Sequence, residues 1–205
     1  MKQLYPRILR GILPLIFLCY GCVALERSYP EKRYFVIEVS PSNSANPAGG
    51  RSLLVANLRI SPRYADKSFV YRISDAAYES DFYNQFLSAT DTMIGEEVRK
   101  GLAASRFFKY VVGPTSQLQP NYVLEGSINA LYGDFRNLNE PAAVLEIEFF
   151  LHNEDAANAG FVMQKRYMKS VPLTGRSAEA LVKGWNQALE AILAMLIDDF
   201  KTANL

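Results

Sequence analysis

The segment YVLEGSINALY, residues 122–132, shows the clearest alternation of apolar and polar side chains in the chain. The segment LEIEFFL, residues 145–151, repeats the alternation, with glutamates between its apolar residues. A period of two residues predicts β-strands that are buried on one face and in water on the other. Residues 161–171 are expected to add a third strand to this meander. Its basic residues can then face the glutamates of the neighbouring strand: Lys165, Arg166 and Lys169.

Three further strands are predicted upstream of this meander. Aromatic and β-branched residues are concentrated in residues 34–39, 53–60 and 68–74. Residues 81–87, DFYNQFL, are expected to lead into a helix. The sequence alone does not decide which of the three early strands are paired.

Two helices are predicted from apolar residues at helical spacing. The first begins near Ser88, where Asp91 three residues later forms a weak capping box. The second follows Ser177 as a plausible N-cap, and its apolar stripe extends to Phe200. The order of three strands, helix, three strands and helix favours a single α+β domain, residues 34–205. A mixed or mainly antiparallel sheet is expected in it, covered on one face by the two helices.

The composition indicates a folded protein without an affinity for nucleic acid. The chain has 205 residues, of which 49% are hydrophobic, and this is enough for one well-buried domain. Its formal net charge is +1, from 22 basic and 21 acidic residues. Because no excess of positive charge exists, we expect no nucleic-acid partner.

The first 21 residues have the features of a signal peptide. Basic residues precede an apolar run at residues 11–18, and no acidic residue is present. The run is shorter than the roughly 20 residues that a membrane-spanning helix needs. Gly21 lies immediately before Cys22, as cleavage and lipidation of a bacterial lipoprotein require. We therefore predict that residues 1–21 are removed and that Cys22 is acylated.

The residues before Cys22 depart from the usual lipoprotein signal. Cys19 and Tyr20 stand where such signals usually have Leu and a small or β-branched residue. The alternatives are an ordinary signal peptide cleaved nearby and an uncleaved anchor. With acylation, residues 22–33 become a tether that reaches roughly 36 Å when extended. A lipoprotein stays at the inner membrane mostly when Asp follows the acylated cysteine. Here Val23 follows Cys22, and this indicates that the protein is located at the outer membrane.

No arrangement of residues points to catalysis. The single histidine, His152, lies on the predicted polar face of a strand, and no G-x-S-x-G motif supplies a nucleophile. Glu146 and Glu148 are two residues apart on a strand, and a solvated face explains them. Gly49 and Gly50 lack the Lys-Ser or Lys-Thr of a phosphate-binding loop. We expect no enzymatic activity, no metal site and no cofactor.

Four aromatic residues before the first predicted helix are candidates for contact with a partner or with lipid. They are Tyr78, Phe82, Tyr83 and Phe86. Packing in the core is the alternative interpretation of this cluster.

Several segments, taken in order, carry a resemblance that spans nearly the whole mature chain. They are the Gly21-Cys22 junction, residues 34–35, 53–55, 69–72 and 81–87, and WNQAL at residues 185–189. In this order they resemble the ABC-type transport auxiliary lipoproteins, the PqiC/YmbA-like family. The resemblance implies a fold similar to the N-terminal domain of TolB. It also implies a periplasm-facing lipoprotein that works beside an ABC permease, its ATPase and an MCE-domain protein, in traffic of lipids or hydrophobic solutes. Homo-oligomerisation is a further implication.

These observations favour a tethered, noncatalytic docking module. A stand-alone lipid-binding carrier is the alternative, and it requires an apolar cavity between sheet and helices. A periplasmic hydrolase that uses His152 is the weakest of the three hypotheses.

The acyl anchor makes a direct prediction. Exchange of Cys22 for Ala removes the acylation site, so the protein is expected in the soluble periplasmic fraction. Fractionation of the envelope and blotting of each fraction measure this. Persistence of the variant in washed membranes would contradict acylation at Cys22.

Overall fold

Nine strands and two α-helices follow one another in the computed structural model, which describes residues 30–40, 50–155, 159–203 and 205. The strands are β1 (Arg33–Phe35), β2 (Ser52–Val55), β3 (Arg59–Ile60), β4 (Ser68–Arg72), β5 (Tyr78–Phe86), β6 (Tyr110–Val112), β7 (Tyr122–Asp134), β8 (Ala142–Asn153) and β9 (Gly160–Pro172). The helices are α1 (Thr90–Ala104) and α2 (Ala178–Thr202). Residues from Lys32 onward form one compact unit.

The long strand β7 joins the two halves of the sheet because both of its edges are paired. On one side it pairs with β8 in antiparallel fashion, and β8 pairs with β9 in the same way. On the other side, β2, β3 and β4 lie one after another along β7, all parallel to it. Beyond them, β6 pairs with β2, β5 pairs with β4, and β1 pairs with β5. The sheet is therefore mixed, and β1 and β9 lie at its opposite edges.

The predicted meander is confirmed by the burial of alternate side chains. Six apolar residues of β7 and β8 are fully buried: Leu124, Ile128, Leu145, Ile147, Phe149 and Leu151. Arg166 of β9 lies near Glu148 of β8, as expected. Lys165 instead bonds to Asp199 of α2, at 2.5 Å. Since adjacent residues of a strand point to opposite faces, only one of these two basic residues can face the glutamates.

Helix α2 covers the buried face and supplies most of the core on that side. The Ser177 hydroxyl caps it by accepting a hydrogen bond from the Ala180 N–H at 3.1 Å, which confirms the predicted start. Trp185 is fully buried, and its ring centroid lies 5.0 Å from that of Phe69. By length and composition α2 could cross a membrane, but half of its most apolar window is buried in the fold. That burial is typical of a core helix.

Residues 81–87 lead into a helix, as expected, since α1 begins three residues later, but the strand that they form was not predicted. They belong mainly to β5, which pairs with β4 and β1. The expected capping box is wrong, because α1 begins at Thr90 and no side chain caps it at Ala89. Pairing with β4, the strand directly before it, and with β1, which is distant in sequence, makes this segment a strand. The strand β6 was not predicted, since it has only three residues.

The first strand is shorter than predicted. The backbone N–H groups of residues 37–40, beyond it, donate to side chains of the two helices, and not to a neighbouring strand. Beyond Phe35, the N–H of Glu38 donates to Asn186 Oδ1 of α2 at 3.2 Å. The N–H of Val39 donates to Glu97 Oε2 of α1 at 3.0 Å. The N–H of Ser40 donates to Glu190 of α2, and that of Ile37 donates to the thioether sulfur of Met93 of α1, a weaker acceptor. Side chains of both helices therefore hold residues 37–40.

A pair of glycine substitutions tests the packing of the helices. At Gly184 an added Cβ would lie 2.6 Å from the Cβ of Ala143, whereas at Gly95 its nearest neighbour would be Leu58 at 3.6 Å. Gly184→Ala is therefore expected to destabilise the fold by about 1–3 kcal/mol. Gly95→Ala should stabilise it by up to about 1 kcal/mol, because Ala favours a helix. Urea unfolding measures both free energies, and equal effects of the two changes would contradict the close approach of α2 to β8.

Candidate functional site

The face of the sheet that is opposite the helices carries a groove with a volume of about 530 Å³. We call it the open-face groove. Strands β7, β8 and β9 form most of it, because their polar alternate residues point away from the helices. Its lining includes Arg59, Glu125, Glu148, Phe150, His152 and Phe161.

Neighbouring side chains fix the carboxylate of Glu148 in this groove. Gln164 Nε2 donates to Glu148 Oε1 at 2.8 Å, and Arg166 Nη2 donates to Oε2 at 3.3 Å. Arg166 also lies 3.6 Å from Glu146. The hydrogen bond from Gln164, and then the charge of Arg166, hold the pKa of Glu148 below its ordinary value. The groove therefore presents an oriented negative charge at neutral pH.

His152 has no catalytic neighbourhood in the part of the chain that the structure describes. Its half-buried ring packs edge-on against Phe161, with 5.8 Å between the ring centroids. None of the hydrogen bonds found among the described residues joins it to a serine, as nucleophilic catalysis would require. In the same residues, no group of three or more His, Cys, Asp or Glu side chains could hold a metal ion.

The four aromatic candidates all lie on β5, but they point in different directions. Phe86 is only 2% exposed and packs against Phe69 and Trp185 in the core. Tyr78 is half-buried, and its ring lies edge-on to that of Tyr132 at 5.8 Å. Phe82 and Tyr83 are exposed, at 63% and 38%. Only these last two therefore lie on the surface as a pair, with 5.2 Å between their ring centroids.

An irregularity in β5 pushes Phe82 and Tyr83 outward. The register with β4 shifts between Ser68 and Val70, where β5 carries additional residues. Asp81 stabilises this bulge, since its Oδ1 accepts hydrogen bonds from the N–H groups of Tyr83 and Asn84 at 2.7 and 3.0 Å. Its Oδ2 accepts from the Tyr71 hydroxyl at 2.6 Å. An Asp that precedes such backbone donors is a known turn signal, and it could have indicated the bulge from sequence.

Apolar side chains from β1 extend this surface along the edge of the sheet. Tyr34 is paired with Gln85 of β5, and Leu87 donates its N–H to the carbonyl of Phe35 at 2.9 Å. Both Tyr34 and Leu87 are exposed. We call the exposed set at this margin the aromatic edge: Tyr34, Val36, Phe82, Tyr83 and Leu87. Two of its members, Phe82 and Tyr83, are among the candidates predicted from sequence, and the three others depend on the pairing of β1 with β5.

A family model described as ABC-type transport auxiliary lipoprotein component matches residues 35–196. This chain belongs to that family. The resemblance seen in the sequence is thereby confirmed, and it assigns the chain an accessory role in ABC-type transport in the cell envelope. Cys22, the predicted acylation site, lies outside the described residues.

Solved structures share this α+β fold. Protein XCC0632 from Xanthomonas campestris is 14% identical, with a TM-score of 0.71 over 84% of this chain and 96% of that one. An uncharacterised protein is 16% identical, with a TM-score of 0.65 over 83% and 99% of the two chains. The hypothetical protein CT253 from Chlamydia trachomatis is 9% identical, with a TM-score of 0.50 over 74% and 95%. At these identities the likeness shows the fold alone. No curated protein matches the sequence.

The bulge of this auxiliary lipoprotein should depend on pH through Asp81. Burial opposes ionisation of Asp81, but hydrogen bonds from Tyr71 and Asn84 hold its pKa below the ordinary 3.8. Because the folded pKa is the lower one, the stabilisation is present above pH 3.8 and is lost as the pH falls below it. Asp81→Ala is expected to cost about 1–2 kcal/mol at pH 7.

Urea unfolding at pH 7 and at about pH 3 measures this effect. The difference between Asp81→Ala and the parent chain should shrink at the lower pH. Asp66→Ala removes an exposed carboxylate from the neighbouring loop and is the matched control. A cost that does not change with pH would contradict the role of the ionised carboxylate.

Proposed function

We propose that this chain is a lipoprotein of the periplasmic side of the outer membrane, tethered through acylated Cys22. Residues 1–21 are its signal peptide, residues 22–33 its tether and residues 34–205 its single domain. It acts without catalysis as an accessory of an ABC transport system that contains an MCE-domain protein and moves lipids or hydrophobic solutes. The observation that carries this proposal is the family match over residues 35–196.

The open-face groove is the proposed surface for a protein of the transport system. It combines aromatic side chains, Phe150 and Phe161, with the oriented carboxylate of Glu148. Aromatic anchors beside fixed polar groups are typical of protein interfaces, because they bury large areas at a small loss of side-chain entropy. Glu148 is paired with Arg166, but Glu125 also lines the groove. The lining thus holds two acidic side chains against the one basic side chain of Arg59, and it favours a partner segment that carries Lys or Arg.

The proposed tether makes a weak interface sufficient. A linker of this length holds the domain near a membrane-bound partner at an effective concentration of up to roughly the millimolar range. A partner with modest intrinsic affinity would therefore be occupied for most of the time. Placement near the transporter is the mechanism that we propose.

The packing between sheet and helices supports docking over carriage of lipid. Phe69, Phe86 and Trp185 are buried there, and the centroids of Phe69 and Phe86 are 4.7 Å apart. A carrier would need an apolar cavity in this space for an acyl chain. The aromatic rings fill the part of it that lies beneath β1, β4 and β5.

Site-specific crosslinking in the native envelope tests the proposal. A photoreactive amino acid at Phe161 lies in the groove, and the same group at Leu138 is the control. Both positions are exposed, at 60% and 58%, but Leu138 lies in the connection at the other end of the β7–β8 pair. We expect position 161 to capture subunits of an ABC transport system and position 138 to capture few. Recovery of no transport protein from position 161 would contradict the proposed interface.

A further inference from the structure

Exposed apolar side chains are concentrated at one margin of the sheet. Eleven large apolar residues are exposed in the described part of the chain, and five of them form the aromatic edge. The six others are spread over five further segments of the chain, and only Phe161 and Met168 share one, the strand β9. Contiguous apolar patches on a soluble domain usually mark a contact surface. We therefore expect the aromatic edge to be in contact with another molecule.

Lysines accompany the aromatic edge. The ammonium of Lys32 lies 4.3 Å from the centroid of the Phe82 ring, and Lys67 Nζ donates to the carbonyl of Leu87 at 3.1 Å. Both lysines are exposed. Asp81 at the bulge is turned toward Tyr71, and Arg33 is paired with Glu179 at 2.6 Å. Aromatic rings beside exposed ammonium groups suit the interface of a phospholipid layer, where rings lie among the headgroups and Lys meets their phosphates.

The location of the aromatic edge, close to the first residues of the compact unit, also indicates contact with a phospholipid layer. The contact of Lys32 with Phe82 places the aromatic edge where the N-terminal segment joins the compact unit. Nine residues lie between Cys22 and Lys32, and the ten steps from one Cα to the next reach no more than about 36 Å. A membrane anchor at Cys22 would hold this edge close to the lipid surface. The opposite edge of the sheet, β9, would lie farther away.

We propose that the aromatic edge lies on the phospholipid surface of the leaflet that holds the acyl anchor. Phe82, Tyr83 and Tyr34 enter the headgroup region, and Lys32 and Lys67 contact lipid phosphates. The contact orients the domain, with β1 toward the membrane and β9 away from it. This inference rests on the tethering in the proposed function, but its test does not require the acyl group or the transport partner.

Vesicle binding by the unlipidated protein tests the contact. The mature chain, residues 22–205 with Cys22→Ala, is sedimented with vesicles of phosphatidylethanolamine that contain about one quarter phosphatidylglycerol. The parent chain is expected to bind, and the double change Phe82→Ser with Tyr83→Ser should lower the partition coefficient by about tenfold. Tyr110→Ser is the matched control, since Tyr110 is an aromatic residue that is 51% exposed against 63% for Phe82 and lies on β6, outside both the aromatic edge and the open-face groove. Circular dichroism verifies that each variant is folded.

The outcomes separate the possible occupants. Loss of binding in the double variant alone supports the membrane contact, and a further loss in Lys32→Glu supports the phosphate contacts. Absence of binding by the parent chain, or an equal loss in Tyr110→Ser, overturns it. Light scattering is measured on the same samples, and a dimer of the parent that the double variant abolishes, without vesicle binding, would assign the edge to a second copy. None of these results depends on crosslinking at Phe161, so the two proposals can fail separately.

Discussion

The fold depends on β7, whose backbone is paired along both edges. Along one edge it pairs with the long strand β8, and along the other it aligns the short strands β2, β3 and β4. None of these short strands has more than five residues, so none could hold its position by its own pairing alone. Each side chain of β7 consequently points either into the helix-covered core or toward the open face. The same alternation that builds the core also builds the groove.

Prediction from sequence succeeded where one physical pattern extended over many residues. The alternation in β7 and β8 and the apolar stripe of α2 are such patterns, and each was located within a few residues of its observed bounds. It failed in β5, where an aspartate-stabilised bulge interrupts the period and pairing with β4 and with the distant strand β1 decides the structure. Of the predicted aromatic cluster, Phe82 and Tyr83 are at the surface and Phe86 is in the core. Whether each of these residues is exposed or buried depends on the face of the sheet to which its side chain points. The bulge determines that face.

The two exposed surfaces lie toward opposite margins of one sheet. The aromatic edge is formed around β1 and β5, and the open-face groove around β7, β8 and β9. Because a rigid sheet joins them, contact at one surface fixes the direction in which the other points. The proposed lipid contact and the proposed protein contact are therefore compatible in the same molecule at the same time. A domain of this kind can hold a defined orientation between a membrane and a transporter without any change in its own structure.

The chain beyond β1 also decides how the domain responds to mechanical tension. Backbone N–H groups of residues 37–40 donate to side chains of α1 and α2 in turn, and Arg33 is paired with Glu179 near the start of α2. A pull from the N-terminal side would load these bonds together with the parallel pairing of β1 and β5. Several bonds loaded in shear must break almost at once, whereas bonds opened from one end break singly. Tension along β1 would on this account be shared by the helices and the sheet, and would not peel the first strand away.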